Sequence, residues 1–469
     1  NLVIIVNDNG RSYAPTIGGM ARYLNRARTA PSYRAMYRTS GRAFGRFGAA
    51  GRAMYRGLRG GTHGFLSRLT NNVALYSNLD IKYLGPVDGH DLEAMIETLK
   101  LAKSYGAPVI VHAITEKGRG YQPALDDLED QFHAVGKINP DTGVAMSNST
   151  ALSWTDIFAD ELVRVGERRN DVIAITAAML RPTGLARFAE RFPDRVYDVG
   201  IAEQHAVTAA AGMAFGGLHP VVAMYATFMN RAFDQVLMDV GLHGAGVTFV
   251  LDRAGVTGPD GPSHHGIWDL AMLQIVPRIR IGVPRDAARL VELLDEAVDV
   301  GDAPTVVRFP KGEVGADISA IERFEDGVEV LSRGGAPDVL ILPIGPMASM
   351  ALEVAERLRA EGIGVTVVDP RWAIPVQPSV VRLAAEHRIV ITIEDGIRVG
   401  GVGTRVRQVL RDAGVDTAVD ELGVPDEFIQ HATREQILID AGLTVDKITE
   451  DIIEQVRGTR IPIARPASA

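Results

Sequence analysis

Val196-Tyr197-Asp198-Val199-Gly200-Ile201-Ala202-Glu203-Gln204-His205-Ala206-Val207 contains a complete βα junction. A short strand over 196–198 runs into a glycine turn, and a helix over 203–215 begins with a carboxylate in its first turn. The same alternation repeats around it. Strands are expected at 172–175, 221–224, 247–251 and 305–308, and helices at 155–165, 229–240 and 285–300. Strands alternating with helices imply a parallel sheet covered by helices on both faces. Beyond Pro310-Lys311-Gly312 the pattern resumes, with strands at 339–343, 365–368 and 389–393 and helices at 350–361 and 403–413. Upstream, a strand over 2–6, a helix near 92–104 and a strand over 108–114 form a further block. The polar run 139–150 reads as a linker. The fold class expected is α/β, with three consecutive domains at 1–147, 148–315 and 330–469 and an Arg/Gly-rich insert at about 20–75.

The composition is that of a globular protein: 469 residues, 46% apolar and 23% charged. No uninterrupted apolar run reaches the length of a membrane span. There is no cysteine, which excludes disulfides and thiolate chemistry and fits a reducing cytoplasm. Net charge is −9, yet Gly10 to Leu79 holds no acidic residue and twelve arginines. The balance disfavours nucleic-acid binding by the whole protein but leaves a local anion-attracting segment. The chain opens inside a buried strand, Leu2-Val3-Ile4-Ile5-Val6, without a signal peptide's basic start or cleavage site. An upstream segment is therefore expected.

Glu203 sits where open α/β sheets bind ligands, beyond the carboxyl end of a strand. Alternatively it only complements the helix dipole. Asp252-Arg253-Ala254-Gly255 leads into the loop Gly258-Pro259-Asp260-Gly261-Pro262-Ser263-His264-His265-Gly266, which combines cation, carboxylate and imidazole. Its bland alternative is a polar turn, and adjacent histidines suit zinc poorly. Tyr225-Ala226-Thr227-Phe228-Met229-Asn230-Arg231 offers a ring for stacking and a guanidinium for phosphate. More commonly such an aromatic is core. Asn7-Asp8-Asn9 offers oxygen ligands for Mg2+, or is an ordinary βα turn.

Together, and in this order, these strings resemble the 1-deoxy-D-xylulose-5-phosphate synthases, thiamine-diphosphate enzymes of the transketolase superfamily. The matching segments are Asn7–Asn9 with Ser12, Gly85–Asp91, Lys117–Tyr121, Phe132–Val135, Asp198–Ala206, Tyr225–Gln235, Asp252–Gly266, Arg308–Gly312 and Glu394-Asp395-Gly396. The resemblance implies condensation of pyruvate with D-glyceraldehyde 3-phosphate, a homodimer, and thiamine diphosphate with Mg2+ as cofactors. It implies that Glu203 hydrogen-bonds N1′ of the cofactor's aminopyrimidine and that Phe228 packs against that ring. His133 and His264 would handle protons. Tyr225, Arg231, Arg253, Asp260 and Lys311 would line the acceptor and its phosphate. Lys117 and Tyr121 would approach the diphosphate, and Asn9 with the Arg11 carbonyl would bind the metal.

Departures from the family pattern are also visible. Its upstream Gly-Asp-Gly segment and a cofactor-site histidine are not in this sequence, so a chain beginning at Asn1 is expected to bind cofactor weakly and be inactive alone. Lys311 stands where many members have arginine. Transketolase or a 2-oxo acid dehydrogenase subunit is the near alternative. A catalytically incomplete paralogue binding RNA or another anion through Arg-rich 20–70, with Tyr37, Phe44, Phe47 and Tyr55, is the distant one. A basic lid over the active site is the simpler reading of that segment.

Overall fold

The computed structural model describes residues 2–10, 81–127, 131–133, 135–144, 146 and 151–458. Arg11, Ser12 and the Arg-rich insert lie outside the described residues. The chain divides into two units, Asn1–Asn148 and Ser149–Ala469.

The first unit holds strands β1 (Val3–Asp8), β2 (Lys82–Asp88) and β3 (Val109–Ile114), parallel and ordered β1-β3-β2. Central β3 is almost wholly apolar and buried, as a strand covered on both faces requires. Helix Leu92–Ser104 starts at Asp91, whose carboxylate accepts from the Ala94 amide at 3.0 Å. One polar chain stitches the three strands. His112 Nε2 lies 3.0 Å from Asp8 Oδ2, and Tyr83 Oη lies 2.5 Å from His112 Nδ1. With Asp8 ionised, His112 donates to it and accepts from the tyrosine hydroxyl.

The second unit contains two sheets. The first uses β4 (Val172–Thr176), β5 (Val196–Asp198), β6 (His219–Tyr225), β7 (Thr248–Asp252), β8 (Arg280–Gly282) and β9 (Thr305–Arg308). The second uses β10 (Glu322–Arg323), β11 (Glu329–Gly334), β12 (Val339–Pro343), β13 (Val365–Asp369), β15 (Ile389–Ile397) and β16 (Ala418–Val424). Between β13 and β15 in sequence, β14 (Trp372–Ile374) leaves its own block and pairs antiparallel with β8. The first sheet therefore runs β14-β8-β9-β7-β6-β4-β5, parallel from β8 to β5. The second runs β10-β11-β13-β12-β15-β16, with β10 and β11 as its antiparallel edge.

Two apolar clusters of this unit lie mainly in one block each, and a larger one is shared by both. It joins Val222, Met224 and Phe249 to Leu340, Leu342 and Val390. A buried ion network crosses the same boundary: Arg285 meets Asp286 at 3.1 Å, Glu329 at 2.5 Å and Asp369 at 2.5 Å.

The helix expected over 229–240 forms differently. Residues Ala226–Ala232 make a 3-10 stretch, Phe233–Gln235 one α-turn, and Val236–Gly241 a π-helical turn. With three residues per turn, Tyr225, Phe228 and Arg231 fall in one row. Tyr225 stacks on Phe228 at 5.8 Å, and the Arg231 guanidinium lies 5.3 Å from the Phe228 ring. Among the described residues no helix is long and apolar enough to cross a membrane.

Candidate active site

Because β9, β7, β6, β4 and β5 are parallel neighbours, their carboxyl ends share one edge. The residues singled out in the second unit follow those ends. After β5, the Asp198 carboxylate accepts from the Ala178 amide at 2.7 Å and the Gly200 amide at 2.9 Å. Gly200 adopts φ +74, and the turn delivers Glu203 to the start of helix Glu203–Phe215. Ala206, Val207, Ala210 and Ala211 bury one face of that helix, and small side chains let it lie close to the sheet.

Glu203 is only 3% exposed, and its Oε1 accepts from Arg231 Nη1 at 2.8 Å. Its Oε2 accepts no hydrogen bond among the described residues. From Arg231 the contacts continue along the row to Phe228 and Tyr225. The Phe228 ring meets His264 edge-on at 5.8 Å, and the Arg253 guanidinium lies 4.1 Å from the Tyr225 ring. Asp260 then bridges two cations, with Arg253 at 3.4 Å and Lys311 at 2.8 Å. Glu203, Arg231, Phe228, Tyr225, His264, Arg253, Asp260 and Lys311 thus form one continuous set drawn from four strand ends.

Arg253 holds φ +58, a left-handed backbone uncommon outside glycine and frequent at functional sites. Behind it, Asp252 is buried and accepts from Thr155 Oγ1 at 2.6 Å. Burial pushes its carboxyl up to about 6, against the lowering effect of that hydroxyl and of Arg253. His265 turns inward rather than toward His264. Its Nδ1 accepts from the Thr257 amide at 3.1 Å, and burial lowers its pKa. The Thr227 hydroxyl reaches the Ser263 carbonyl at 3.1 Å, tying the loop to the 3-10 stretch.

In the first unit, Lys117 Nζ lies 3.0 Å from His133 Nδ1, so two residues chosen separately from the sequence are neighbours. Tyr121 packs on Phe132 at 6.0 Å, and its buried hydroxyl finds no partner among the described residues. Asn9 follows Asp8 at the end of β1, where the Asp8 Oδ1 also accepts from the Gly10 amide at 3.0 Å. Thr115 Oγ1 donates to Asn7 Oδ1 at 2.6 Å across the same turn. Among the described residues no three His, Asp or Glu side chains gather to hold a metal.

The sequence strings that hold Asp252 and Asp395 give neither of them a role, and His431 and Arg434 are not singled out by the sequence. Asp395 Oδ1 accepts from the Val256 amide at 2.9 Å, and Arg434 donates to the Val256 carbonyl at 2.7 Å. The His431 ring lies against Gly261. The string Glu394-Asp395-Gly396 was the one available pointer to this contact, and nothing local said what it touches.

A transketolase pyrimidine-binding-domain model matches residues 150–316, and a transketolase C-terminal-domain model matches 327–448. A solved split-gene transketolase, described as an inactive beta4 tetramer, aligns with TM-score 0.58 and 29% identity over 66% of this chain and all of its own. Campylobacter jejuni transketolase, 14% identical, shares the fold with TM-score 0.57 over 82% of this chain and 69% of its own. Sheet, carboxylate-bearing helix and domain matches define an enzyme of the transketolase superfamily.

A 1-deoxy-D-xylulose-5-phosphate synthase model matches residues 1–115. The synthase of Leifsonia xyli subsp. xyli is 70% identical over 99% of this chain and 72% of its own length. That of Clavibacter sepedonicus is 68% identical over the same shares, and synthase 2 of Streptomyces coelicolor is 55% identical over 97% and 70%. The chain belongs to the 1-deoxy-D-xylulose-5-phosphate synthase family. Its reaction is the decarboxylating condensation of pyruvate with D-glyceraldehyde 3-phosphate, dependent on thiamine diphosphate. In the second unit one feature fits that cofactor: the buried Glu203 carboxylate, whose Oε2 accepts no hydrogen bond among the described residues.

Proposed function

We propose that Glu203 is the group that hydrogen-bonds the cofactor's aminopyrimidine and carries its proton. The observation behind this is a buried carboxylate at a helix start, held through Oε1 by Arg231 and open at Oε2. When bound, thiamine diphosphate supplies the carbon nucleophile and electron sink that decarboxylation needs. The protein's share is to orient, exclude water and move protons. Phe228 would pack beside the pyrimidine, and His264, in edge contact with the Phe228 ring, would handle a proton near the reacting carbons. His133 does the same from the first unit, where Lys117 and Tyr121 face the diphosphate. Tyr225, Arg253, Asp260 and Lys311 bind the acceptor. Arg231 adds phosphate contacts through the guanidinium N–H groups that Glu203 does not use.

In the same proposal Asn9 and the Arg11 carbonyl hold Mg2+, and the working form is a cytoplasmic homodimer. Residues 1–147 contribute the diphosphate side, 148–315 the pyrimidine side, and 330–469 the C-terminal domain. The test is Glu203→Gln in the holoenzyme. Cofactor affinity should be largely kept while turnover drops by about 10²–10⁴-fold, the range for removing a positioned acid–base group. Near-normal turnover would remove Glu203 from the chemistry.

A further inference from the structure

The loop that carries Asp260 and His264 is closed at its base. Gly255 and Gly266 exchange two backbone hydrogen bonds, at 2.7 and 2.8 Å. Above that base, the backbone N–H and C=O of Val256 are both held by side chains remote in sequence. The N–H donates to Asp395 Oδ1 at 2.9 Å, and the C=O accepts from Arg434 Nη1 at 2.7 Å. Arg434 Nη1 is also 2.6 Å from Asp395 Oδ2, so the two side chains form a closed ring with one peptide backbone. Arg308 completes the support. It donates to the Asp395 and Gly266 carbonyls, each at 3.3 Å, while paired with buried Asp269 at 2.7 Å.

The loop's glycines face the same partners. Gly255, at φ +77, lies so close to the Asp395 carboxylate that a Cβ there would overlap it. A Cβ on Gly258, at φ +81, would sit 2.8 Å from the Arg434 backbone nitrogen. Glycine here serves close approach by residues near 395 and 434 as much as it serves the turn. Asp395 is 3% exposed, and its charge is fully engaged by this ring. Among the described residues its side chain makes no hydrogen bond or ion pair with a residue assigned to substrate.

We propose that Asp395, together with Arg434, is a positioning residue that clamps the 255–266 loop and so sets the acceptor-binding geometry of Asp260 and the placement of the proton-handling His264. This rests on the assignment of those two residues to the active site. Losing the clamp frees the loop without removing a group that meets substrate, so the acceptor side should suffer first. Sub-ångström placement matters at this point, since a displacement of about 1 Å can cost on the order of 10²-fold.

The experiment compares the holoenzyme with Asp395→Asn, Arg434→Met, Arg434→Lys and, as a control on the site, Asp260→Ala. Asp395→Asn and Arg434→Met should raise KM for glyceraldehyde 3-phosphate by roughly 10-fold or more. KM for pyruvate should stay at the wild-type value. Arg434→Lys, which keeps a cation for Asp395, should recover part of the loss. Amide hydrogen exchange over 255–266 should accelerate in the first two variants. Should Asp395→Asn fold poorly, Arg434→Met carries the test, because Arg434 is partly exposed. Folded variants with unchanged exchange in the loop, or with equal rises in both KM values, overturn the proposal. If Asp260→Ala leaves the acceptor KM unchanged, the site assignment fails and takes the link to the acceptor with it. The exchange measurement would then show separately whether Asp395 pins the loop.

Discussion

Asp260 lies between two cations, and its partners differ in what they can offer a phosphate. Lys311 is a point charge, 2.8 Å from the Asp260 carboxylate and 38% exposed. Arg253 is fixed by its strained backbone and by the Tyr225 ring beneath it. Lys311→Ala is therefore expected to weaken glyceraldehyde 3-phosphate by about tenfold, or about 1.4 kcal/mol, and pyruvate far less. Separate KM determinations for the two substrates check this, and equal penalties would contradict it. Lys311→Arg tests the forked contact, since a guanidinium can grip phosphate with two parallel bonds and an ammonium cannot. Tighter acceptor binding is the expected outcome.

Helix Val402–Asp412 depends on a single buried carboxylate. Glu394 accepts from the Val402 and Gly403 amides, each at 3.0 Å, and the lack of a Cβ on Gly401 leaves it room. Burial pushes this carboxyl up to about 7, and the two amides pull it only part of the way back. The folded protein thus holds the proton more tightly than the unfolded chain. The resulting stability is fully present below about 4.5 and is lost as pH rises through about 7. Glu394→Gln should flatten that slope in a series of melting temperatures against pH, and an unchanged slope would exclude Glu394 as its source. Glu394→Ala should cost about 2 kcal/mol at low pH, because two helix-start amides lose their acceptor. The 3-10 stretch Ala226–Ala232 shows the same dependence of an element on its site. An α-helix would rotate Phe228 and Arg231 out of line with Tyr225, whereas three residues per turn stack them.

The second and third sequence blocks share a core, exchange β14 and are joined by the Arg285 ion network. They should unfold as one cooperative unit despite matching two separate domain models. Arg285→Met leaves Asp369 buried without its ion-pair partner and leaves Glu329 to Arg289 and the more distant Arg323. The expected cost is about 3–5 kcal/mol, felt by both blocks together. Calorimetry on Ser149–Ala469 decides this, and two resolved transitions in the unaltered unit would refute the shared cooperativity.

Much of this architecture is legible in the amino-acid sequence because its causes are local. Strands such as Thr305–Arg308 and Val339–Pro343 are short apolar runs between turn residues, and helix Glu203–Phe215 starts and stops where its own residues dictate. Glu203, Phe228, Arg231, Arg253 and Lys311 stand shortly after such strands and Tyr225 ends one, so sheet topology carries them to one edge, whereas Asp260 and His264 sit farther along the loop after β7. The sequence pattern does not place β8 or β14, and β14 is a strand only because another block offers an open edge. Asp395 reads as one more polar residue in an apolar strand until Val256, 139 positions away, is placed against it. Arg434 meets the same residue across 178 positions. Hydrogen bonds between residues so far apart leave no periodic trace in the chain. Only packing one sheet against the other decided that an aspartate and an arginine of the last block hold the loop of the block before it.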